Sequence, residues 1–600
     1  MKDKDNTIYK SFFKRYCIIK RTHKDFSISV LRKRLLAISL AVTFLFCLLA
    51  GRFFYVQVLW QEELNYRALD QWTREIPIVA ERGKITDRNG VVLADNSTAY
   101  TVFARSNAVK DKASTAAVLA QTLDMDSTTL YEKLTKKKAS EVTIKRKISK
   151  EYIESLAELS LDGVYYSRDN VRYYPKSETL CQVLGFTSSD GVGTTGIEKY
   201  YDEYLSGKNG ELLYETDLVG VEIDGSVATY LPAEDGYNVE LTIDYGIQQI
   251  VESALAKTSA EYSPVSASCI VLNVNNFEVL ALANYPSYDL NDIPRNETEL
   301  LNKLSRNALV CDIYEPGSTF KIVTSAINIE EYLQGNKKAF SPNYVFPSSR
   351  TRAVDGTRVK CWSNHANGKH SNQTLAEALN NSCNPCFTDM ALSLGKQTFY
   401  EYLSSFGFGK RTGIDFSGEA YGLLMPEAAV RACDLARIGF GQTIAVSGVQ
   451  LACATASAIN GGYYYTPKLV KRVYANDGYV LKKADSEVKV RTVSEEASKI
   501  LAGMLEGVVK EGSGKKAYIE GYKIGGKTGT AQKFENGRIA AGKYVSSFVG
   551  FFPANKPKYL ALVVVNEPKG AYYGSVVAAP CAKEIFQGII DLKNIAPIAV

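Results

Sequence analysis

An apolar segment near the N-terminus constrains the fold of this chain more than any other feature. Residues 35–51, LLAISLAVTFLFCLLAG, carry no charge, and FFYVQVLW extends the run past Arg52 to Trp60. A helix of this length spans a bilayer, with Arg52 able to snorkel and the aromatic residues suited to the interface. A cleaved signal peptide is the competing interpretation, but the run is long for one and no A-x-A site follows it. The sequence therefore predicts a transmembrane anchor at 35–60.

The charge distribution predicts how the anchor is oriented. Residues 1–34 contain eleven Lys or Arg against three Asp, a net charge of +8, whereas the whole chain carries +6. The positive-inside rule then places residues 1–34 in the cytoplasm and everything after Trp60 outside. Because the rest of the chain is close to neutral, no nucleic-acid partner is expected. We predict a single-pass protein of the cytoplasmic membrane with an external catalytic domain.

The external part is too long for a single hydrophobic core, since 600 residues suggest two to four domains. We place a boundary near Gly236, which gives domains at 61–235 and 236–600. In the first of these, Asn-Gly in RNG (88–90) predicts a hairpin turn. Residues 107–162 have a charged, helical pattern that includes the basic run KLTKKKASEVTIKRK, interpreted as a solvated face.

Residues 315–321, EPGSTFK, place a serine and a lysine one helical turn apart behind a Pro-Gly step. A helix can begin only after Pro316 and Gly317, and Ser318 and Lys321 then share a face at i and i+3. An amine kept neutral by burial could take the proton of the hydroxyl and activate it. A Ser N-cap followed by a surface lysine is the alternative interpretation, because Ser-x-x-Lys is common by chance.

Two further motifs follow in a fixed order. SCN (382–384) comes directly after the helix-like TLAEALN, and KTGT (527–530) precedes the strand-like SSFVGFFPA. In the second motif the small Gly529 lets a strand edge approach a substrate closely, and the hydroxyls of Thr528 and Thr530 can bind a carboxylate. An edge strand with a tolerated glycine is the alternative. Each motif is weak alone, but the ordered set is improbable by chance.

With these motifs the chain resembles the penicillin-recognising serine transferases, and among them the class B penicillin-binding proteins, the D,D-transpeptidases that cross-link peptidoglycan. RGKITDRNGVVLA (82–94) resembles the N-terminal signature of that class, and GTTGIEKYYDEYLSG (193–207) resembles its pedestal motif. ARIGFGQTIAVSGVQLA (436–452) is similar to its Gly-rich segment, although Ser447-Gly448 replaces the usual Thr-Pro and leaves the local turn open. The resemblance implies an α+β multidomain fold. It consists of an N-terminal transmembrane helix, an elongated pedestal or dimerisation-type domain of strands and helices, and a transpeptidase domain with an antiparallel sheet flanked by helices.

The resemblance also implies a role for each motif residue. Ser318 is the nucleophile on the penultimate D-Ala carbonyl, and Lys321 is its general base. Ser382 and Asn384 complete the proton and hydrogen-bond network, Asn384 also holds the substrate amide, and Lys527 supplies positive potential.

The substrate-binding roles fall to the KTGT segment. Thr528 and Thr530 bind the terminal carboxylate, and the backbone N–H groups of Ser318 and Thr530 form the oxyanion hole. Neither a metal nor an organic cofactor is required. The implied partners are stem peptides ending in D-Ala-D-Ala, β-lactams, the cytoplasmic membrane, a membrane glycosyltransferase, and divisome or sporulation proteins.

Other functions share the three motifs. A β-lactamase needs efficient deacylation by water and has no use for an anchor or a large N-terminal module. A membrane-bound β-lactam sensor normally has several spans and a cytoplasmic effector, whereas 34 residues precede the span here. A division or sporulation role is expected from NSCNP and the upstream Cys361-Trp362, with the elongation branch left open.

Eleven cysteines are spread over the chain, and two of them lie close to the predicted chemistry. Cys383 is the middle residue of SCN, and Cys361 lies 22 residues upstream with His365 and His370 between them. Three interpretations stay open: buried free thiols, a reversible Cys361–Cys383 disulfide, or a zinc ion bound by Cys361, His370 and Cys383 whose fourth ligand is not evident.

Overall fold

The structure of the protein, a computed structural model, describes residues 28–64, 73–135, 141–215, 229–347, 349–363, 365, 370–535 and 538–597. These residues fall into two units, one within Met1–Pro77 and Glu211–Leu231 and the other within Ile78–Gly210 and Pro232–Val600.

The first unit contains a long apolar helix. It comprises the α-helix Ile28–Phe54 and a π-helical turn at Tyr55–Leu59, and an 18-residue stretch of it has a mean hydropathy of 2.1. Within the described part of the chain, it is the only helix long and apolar enough to cross a membrane. Large apolar side chains on it are exposed, for example Phe44 at 65% and Phe46 at 68%. Such a surface is stable only in an apolar surrounding, which a bilayer supplies. This unit also holds a three-stranded sheet in the order Thr73–Ile78, Gly210–Glu215, Thr229–Leu231.

The N-terminal half of the second unit is built around the long strand Val92–Ala104. This strand pairs antiparallel with Ile85–Thr86, Val142–Ile148 and Val164–Tyr173. The turn after Ile85–Thr86 contains Gly90 at φ +87°, and the Asp87 carboxylate accepts hydrogen bonds from the backbone N–H of Asn89 and Val91. The predicted hairpin is confirmed. The helices of this half are Lys112–Leu123, Ser127–Thr135, Lys150–Glu158, Cys181–Leu184, Gly196–Tyr200 and Asp202–Leu205.

The helical pattern predicted over 107–162 is wrong for one stretch. Val142–Ile148 is a strand, with Ile144 and Ile148 buried in the core beneath the helices. Three consecutive basic residues separate Ile144 from Ile148, so the period of two that marks a half-buried strand is interrupted at Arg146, which is exposed. Part of the basic run therefore belongs to a sheet, while residues 136–140 of that run lie outside the described residues.

The signature at 82–94 and the pedestal motif at 193–207 meet at a buried ion pair. Glu198 is fully buried and accepts hydrogen bonds from Arg82 Nε at 2.7 Å and Arg172 Nε at 2.6 Å. Arg82 also donates to the backbone oxygen of Glu198 at 2.9 Å. A buried carboxylate needs such partners, so the two motifs depend on each other.

One sheet joins this half to the C-terminal half. Asn238–Leu241 pairs in parallel with Ile85–Thr86 and antiparallel with Val470–Tyr474. The helix Tyr245–Tyr262 follows, and Asp244 caps it by accepting a hydrogen bond from Ile247 N–H.

The C-terminal half is organised by a five-stranded antiparallel sheet. Its order is Val279–Tyr285, Ser266–Asn273, Tyr559–Asn566, Arg538–Phe552, Gly525–Glu535. Alternate residues of its central strands enter two separate cores: Ile270 and Leu272 pack into one, and Cys269 and Val271 into the other. Both faces are therefore covered by helices. The antiparallel sheet flanked by helices is confirmed.

The remaining elements surround this sheet. The helices are Thr298–Leu304, Ala308–Cys311, Lys321–Leu333, Leu375–Asn380, Asn384–Leu394, Lys396–Ser405, Ala432–Ile438, Gly448–Ile459, Glu495–Lys510 and Ala578–Leu592. Short 3-10 turns lie at Gly317–Phe320, Glu427–Ala429 and Lys515–Ala517. The short strands are Ile313–Tyr314, Thr351–Val354, Thr357–Lys360, Val446–Ser447, Tyr463–Tyr465, Val480–Lys483 and Val488–Arg491.

Candidate active site

Ser318 lies on a tight turn that leads into a buried helix. The 3-10 turn Gly317–Phe320 continues directly into Lys321–Leu333, so the helix begins where the Pro-Gly step predicts. Gly317 has φ +53°, a conformation that favours glycine, and its N–H donates to the backbone oxygen of Gly441 at 2.9 Å. Ser318 is half-buried and faces a cavity. The turn therefore presents the hydroxyl at the start of a rigid helix.

Lys321 is completely buried one turn after Ser318. Its ammonium donates hydrogen bonds to the backbone oxygen of Ser382 at 2.8 Å, to Ser382 Oγ at 3.1 Å and to Asn384 Oδ1 at 2.8 Å. Burial lowers the pKa of Lys321 from 10.5 to about 8, since the charged form loses its hydration. The alternative of a surface lysine is therefore wrong. Near neutral pH a fraction of this amine is unprotonated and can accept a proton.

The SCN segment connects two helices. Thr374 and Glu377 form a capping box that starts Leu375–Asn380, which confirms the predicted helix. After that helix the chain turns at Ser382, whose φ is +54°, and the next helix starts at Asn384. This turn points both polar side chains toward Lys321.

The KTGT segment lies on the edge strand Gly525–Glu535, against the serine turn. A Cβ on Gly529 would lie 2.4 Å from Ser547 Oγ and 2.9 Å from Thr319 Cγ2, so only glycine fits there. The close approach predicted for Gly529 is therefore toward the serine turn and the neighbouring strand. Thr528 Oγ1 contacts Ser513 Oγ at 3.2 Å, and Thr530 Oγ1 accepts a hydrogen bond from Gly574 N–H at 3.0 Å.

Lys527 is also completely buried, and its ammonium donates to the backbone oxygen of Thr528 at 3.2 Å. Burial, and after it the charge of Lys321, lowers the pKa of Lys527 well below its usual range. In the ligand-free site this shift works against the positive potential that the resemblance implies for Lys527. An anionic ligand would favour the charged form.

A cavity of about 370 Å³ brings the motifs together. Its lining residues are Gly317, Ser318, Trp362, Ser382, Asn384, Phe440, Gln442, Ser513, Thr528, Thr530, Tyr544, Tyr572, Tyr573 and Ser575. The aromatic side of this cavity was not predicted from the sequence. Tyr544 stacks on Tyr572 with ring centroids 4.2 Å apart, and Trp362, on the segment after Cys361, also lines the cavity. The neighbouring tyrosines in AYYG were the only sequence signal for it.

The structure shows how Ser447-Gly448 takes the place of the usual Thr-Pro in the Gly-rich segment. Ser447 caps the helix Gly448–Ile459 through a capping box with Gln450. Val446–Ser447 also pairs with Ile313–Tyr314, the strand that enters the serine turn. A Cβ on Gly448 would lie 2.4 Å from Leu309 Cδ2, which explains the small residue. The turn left open by the sequence thus supports the approach to Ser318.

Cys361 and Cys383 are both buried free thiols, and their sulfur atoms lie 3.9 Å apart. His370 and His365 lie beside them. The disulfide therefore stays a prediction.

Comparison with known proteins identifies the family. Residues 267–587 match the penicillin binding protein transpeptidase domain, and residues 77–241 match the penicillin-binding protein dimerisation domain. Stage V sporulation protein D of Bacillus subtilis (strain 168) is 38% identical over 570 residues, which cover 94% of this chain and 86% of that protein. The chain belongs to the class B penicillin-binding proteins.

Other relatives of this class B penicillin-binding protein match over a similar span. The peptidoglycan D,D-transpeptidase FtsI of Escherichia coli (strain K12) is 29% identical over 562 residues, covering 92% of this chain and 90% of that protein. The crystal structure of penicillin binding protein 2X from Streptococcus thermophilus has a similar fold, with a TM-score of 0.71 and 24% identity. That similarity covers 87% of this chain and 81% of the other.

Proposed function

We propose that this protein is a peptidoglycan D,D-transpeptidase that cross-links stem peptides through an acyl-enzyme on Ser318. β-Lactams inhibit it, and it acts in septal or spore wall synthesis, as the names of its relatives suggest. The observation that carries the proposal is the position of Lys321, which is buried, has a lowered pKa, and bonds to both Ser382 and Asn384 beside the hydroxyl-bearing turn.

Acylation begins when neutral Lys321 takes the proton of Ser318. The serine oxygen attacks the carbonyl carbon of the penultimate D-Ala, and the backbone N–H groups of Ser318 and Thr530 stabilise the oxyanion. The C–N bond to the terminal D-Ala then breaks. Its nitrogen receives the proton held by Lys321, relayed through Ser382 Oγ at 3.1 Å from the amine. The products are free D-Ala and an ester on Ser318.

Transfer repeats these steps in reverse order with a different amine. An amino group of a neighbouring stem peptide attacks the ester and gives a proton to Lys321, and Ser318 leaves with a proton returned to it. One peptide bond is broken and one is formed overall. Asn384 orients the substrate amide from its position at the first turn of a helix.

The terminal carboxylate of the donor peptide binds near the KTGT strand. Thr528 and Thr530 line the cavity with hydroxyls, and Lys527 lies directly beneath them. Burial lowers the pKa of Lys527, and a bound carboxylate would raise it again by stabilising the charged amine. The substrate carboxylate and the charged form of Lys527 therefore favour each other.

The other domains place this chemistry at the membrane. We assign residues 1–34 to the cytoplasm because of their net charge of +8, residues 35–60 to the anchor, 61–235 to the pedestal and 236–600 to the external transpeptidase domain. A membrane glycosyltransferase and divisome or sporulation proteins are the partners we propose, since the donor strands must be made beside the same membrane.

The decisive experiment is mass-spectrometric mapping of a penicillin adduct on the full chain in detergent. We expect the adduct on Ser318, and none on Ser318→Ala. Ser325→Ala is the matched control. Ser325 is a buried serine of the helix Lys321–Leu333, which follows the serine turn, and its hydroxyl has no partner among the described residues. It should label normally. An adduct on another residue would refute the assignment, and rapid release of hydrolysed penicillin would instead favour a β-lactamase.

A further inference from the structure

Four metal-ligating side chains converge beside the SCN segment. The ligand atoms of Cys361, His365, His370 and Cys383 all lie within 4.8 Å of one another. Cys361, His370 and Cys383 are at most 5% exposed, and His365 is half-buried. The described residues contain no other group of three or more ligating side chains as close as this. His365 is therefore available as the fourth zinc ligand, which was not evident from the sequence.

The distances within this group match a tetrahedral zinc site. Zn–S bonds of about 2.3 Å and Zn–N bonds of about 2.0 Å give edges of about 3.8 Å between two sulfurs and about 3.5 Å between sulfur and nitrogen. The structure has 3.9 Å between the two Sγ atoms, 3.6 Å from Cys361 Sγ to His370 Nδ1 and 3.8 Å from Cys383 Sγ to His365 Nε2. Three of the six separations therefore match the edges of a tetrahedron around one ion, and the remaining pairs, which lie up to 4.8 Å apart, draw together when the ion binds.

The chemistry of the four groups also favours a metal over the two other interpretations. Two thiolates neutralise Zn²⁺ and two imidazoles bind it uncharged, so a buried site carries no net charge, and the two thiol protons go to solvent. Free thiols or a disulfide explain the sulfur atoms but give no reason for two histidines to converge on them.

The cluster is tied to the candidate active site by backbone and side-chain contacts. Cys383 separates Ser382 from Asn384, and Asn384 Nδ2 donates to the backbone oxygen of Lys360 at 3.1 Å. Trp362, which lines the cavity, donates from Nε1 to the backbone oxygen of Asn381 at 3.1 Å. A bond between the segments carrying Cys361 and Cys383 would therefore fix the partners of Lys321.

Unusual backbone conformations occur at the same place. His365, His370 and Ser382 have φ values of +54°, +62° and +54°, the left-handed region that costs energy for residues other than glycine. Such conformations persist when the surroundings determine them fully. Coordination of both histidines and of Cys383, next to Ser382, would supply that constraint.

We propose that Cys361, His365, His370 and Cys383 bind one zinc ion, and that this ion holds Ser382 and Asn384 against Lys321. Metal binding stands independently of the transpeptidase reaction, whereas the effect on Ser382 and Asn384 rests on the proposed function. The ion has four protein ligands and no open position, so its role is structural.

The first test is the metal content of the full chain purified in detergent with a reductant. We expect one zinc per chain, and loss of the zinc from Cys361→Ser and His365→Ala. Cys386→Ser is the matched control, because Cys386 is a buried thiol three residues after Cys383 but outside the group of four. It should keep its zinc, and loss of zinc from the folded control would overturn the ligand assignment.

A spectroscopic measurement covers the case in which a variant fails to fold. Replacement of the metal in the wild-type chain by Co²⁺ should give the visible bands of tetrahedral cobalt together with thiolate-to-cobalt charge transfer. Two results would overturn the proposal. The first is reduced protein that binds neither Zn²⁺ nor Co²⁺. The second is a Cys361–Cys383 disulfide in protein that was produced in the presence of zinc and purified without reductant.

The second test compares penicillin acylation before and after removal of the metal by a chelator. We expect the rate to fall at least tenfold and to return when Zn²⁺ is added back, while Cys386→Ser behaves like the wild type. An unchanged rate in verified metal-free protein would refute the positioning role. Zinc-loaded protein that is never acylated at Ser318 would instead refute the proposed function and leave the metal site intact.

Discussion

Acylation of Ser318 by a penicillin should accelerate with pH through the pKa of Lys321. Burial lowers that pKa from 10.5 to about 8. At pH 7 about one lysine in ten is then neutral, against roughly one in three thousand for an unperturbed amine. Only the neutral amine accepts the serine proton, so the rate should increase about tenfold per pH unit below pH 7 and level off above about pH 8.

The assay is the second-order rate of labelling by a fluorescent penicillin between pH 5.5 and 9.5, with the full chain in detergent. Lys321→Arg keeps a cation in the site but cannot act as a base, because a guanidinium stays protonated. It should lose several orders of magnitude in rate, as should Lys321→Ala, and neither residual rate should show the wild-type midpoint.

Wild-type labelling that is independent of pH between 6 and 8 would contradict the role of Lys321 as the base. Labelling of folded Lys321→Arg at the wild-type rate would also contradict it, since another group would then be the base. A rate that still increases tenfold per pH unit at pH 9.5 would show that burial does not lower the pKa of Lys321 to about 8, and the polar contacts with Ser382 and Asn384 would then have to stabilise its charged form.

Three further outcomes are expected. Gly529→Ala places a methyl group 2.4 Å from Ser547 Oγ and should move the KTGT strand away from the serine turn. We expect acylation to slow roughly tenfold to a hundredfold. Labelling kinetics measure this rate, and a normal rate would contradict the packing at Gly529. Glu198→Ala leaves Arg82 and Arg172 buried without their carboxylate and should cost about 3–5 kcal/mol in denaturant unfolding, whereas Arg168→Ala at an exposed pair with Glu81 should change little. Non-covalent binding of a penicillin to Ser318→Ala should raise the pKa of Lys527, because the ligand carboxylate favours the charged amine. An NMR titration of the lysine side chains, assigned with Lys527→Arg, measures this pKa with and without ligand, and an unchanged pKa would contradict a carboxylate site beside Lys527.

Much of the fold and of the candidate site follows from local sequence signals. Pro316-Gly317 fixes where the serine helix begins, and Thr374 with Glu377 starts the helix before the SCN segment. These signals act within a few residues of the side chains they position. The motif order then identified the family, so the antiparallel sheet with helices on both faces could be expected before the structure was known.

Other features depend on contacts between distant segments, which no local pattern encodes. The strand Val142–Ile148 was hidden because three consecutive basic residues separate Ile144 from Ile148, the two side chains that enter the core. The aromatic residues that line the cavity, Trp362, Tyr544 and Tyr572, come from distant segments that meet only when the sheet and the cysteine segment are assembled. Gly529 was noted for its small size, but the atoms that exclude a side chain there belong to Thr319 and Ser547.

The four residues around Cys361 and Cys383 could be predicted from the sequence only in part. Cys361 and His365 are four residues apart and His365 and His370 five, spacings that suit ligands of one ion on a short loop, so a sequence signal for the fourth ligand was available. What the spacing cannot show is that Cys383 lies opposite that loop, because 22 residues and a helix separate it from Cys361. In the structure the sulfur atoms of Cys361 and Cys383 lie 3.9 Å apart, and the two neighbours of Cys383, Ser382 and Asn384, both bond to Lys321. A change at the cysteines, whether by metal loss or by oxidation, would therefore reach the general base through a single peptide unit on either side of Cys383.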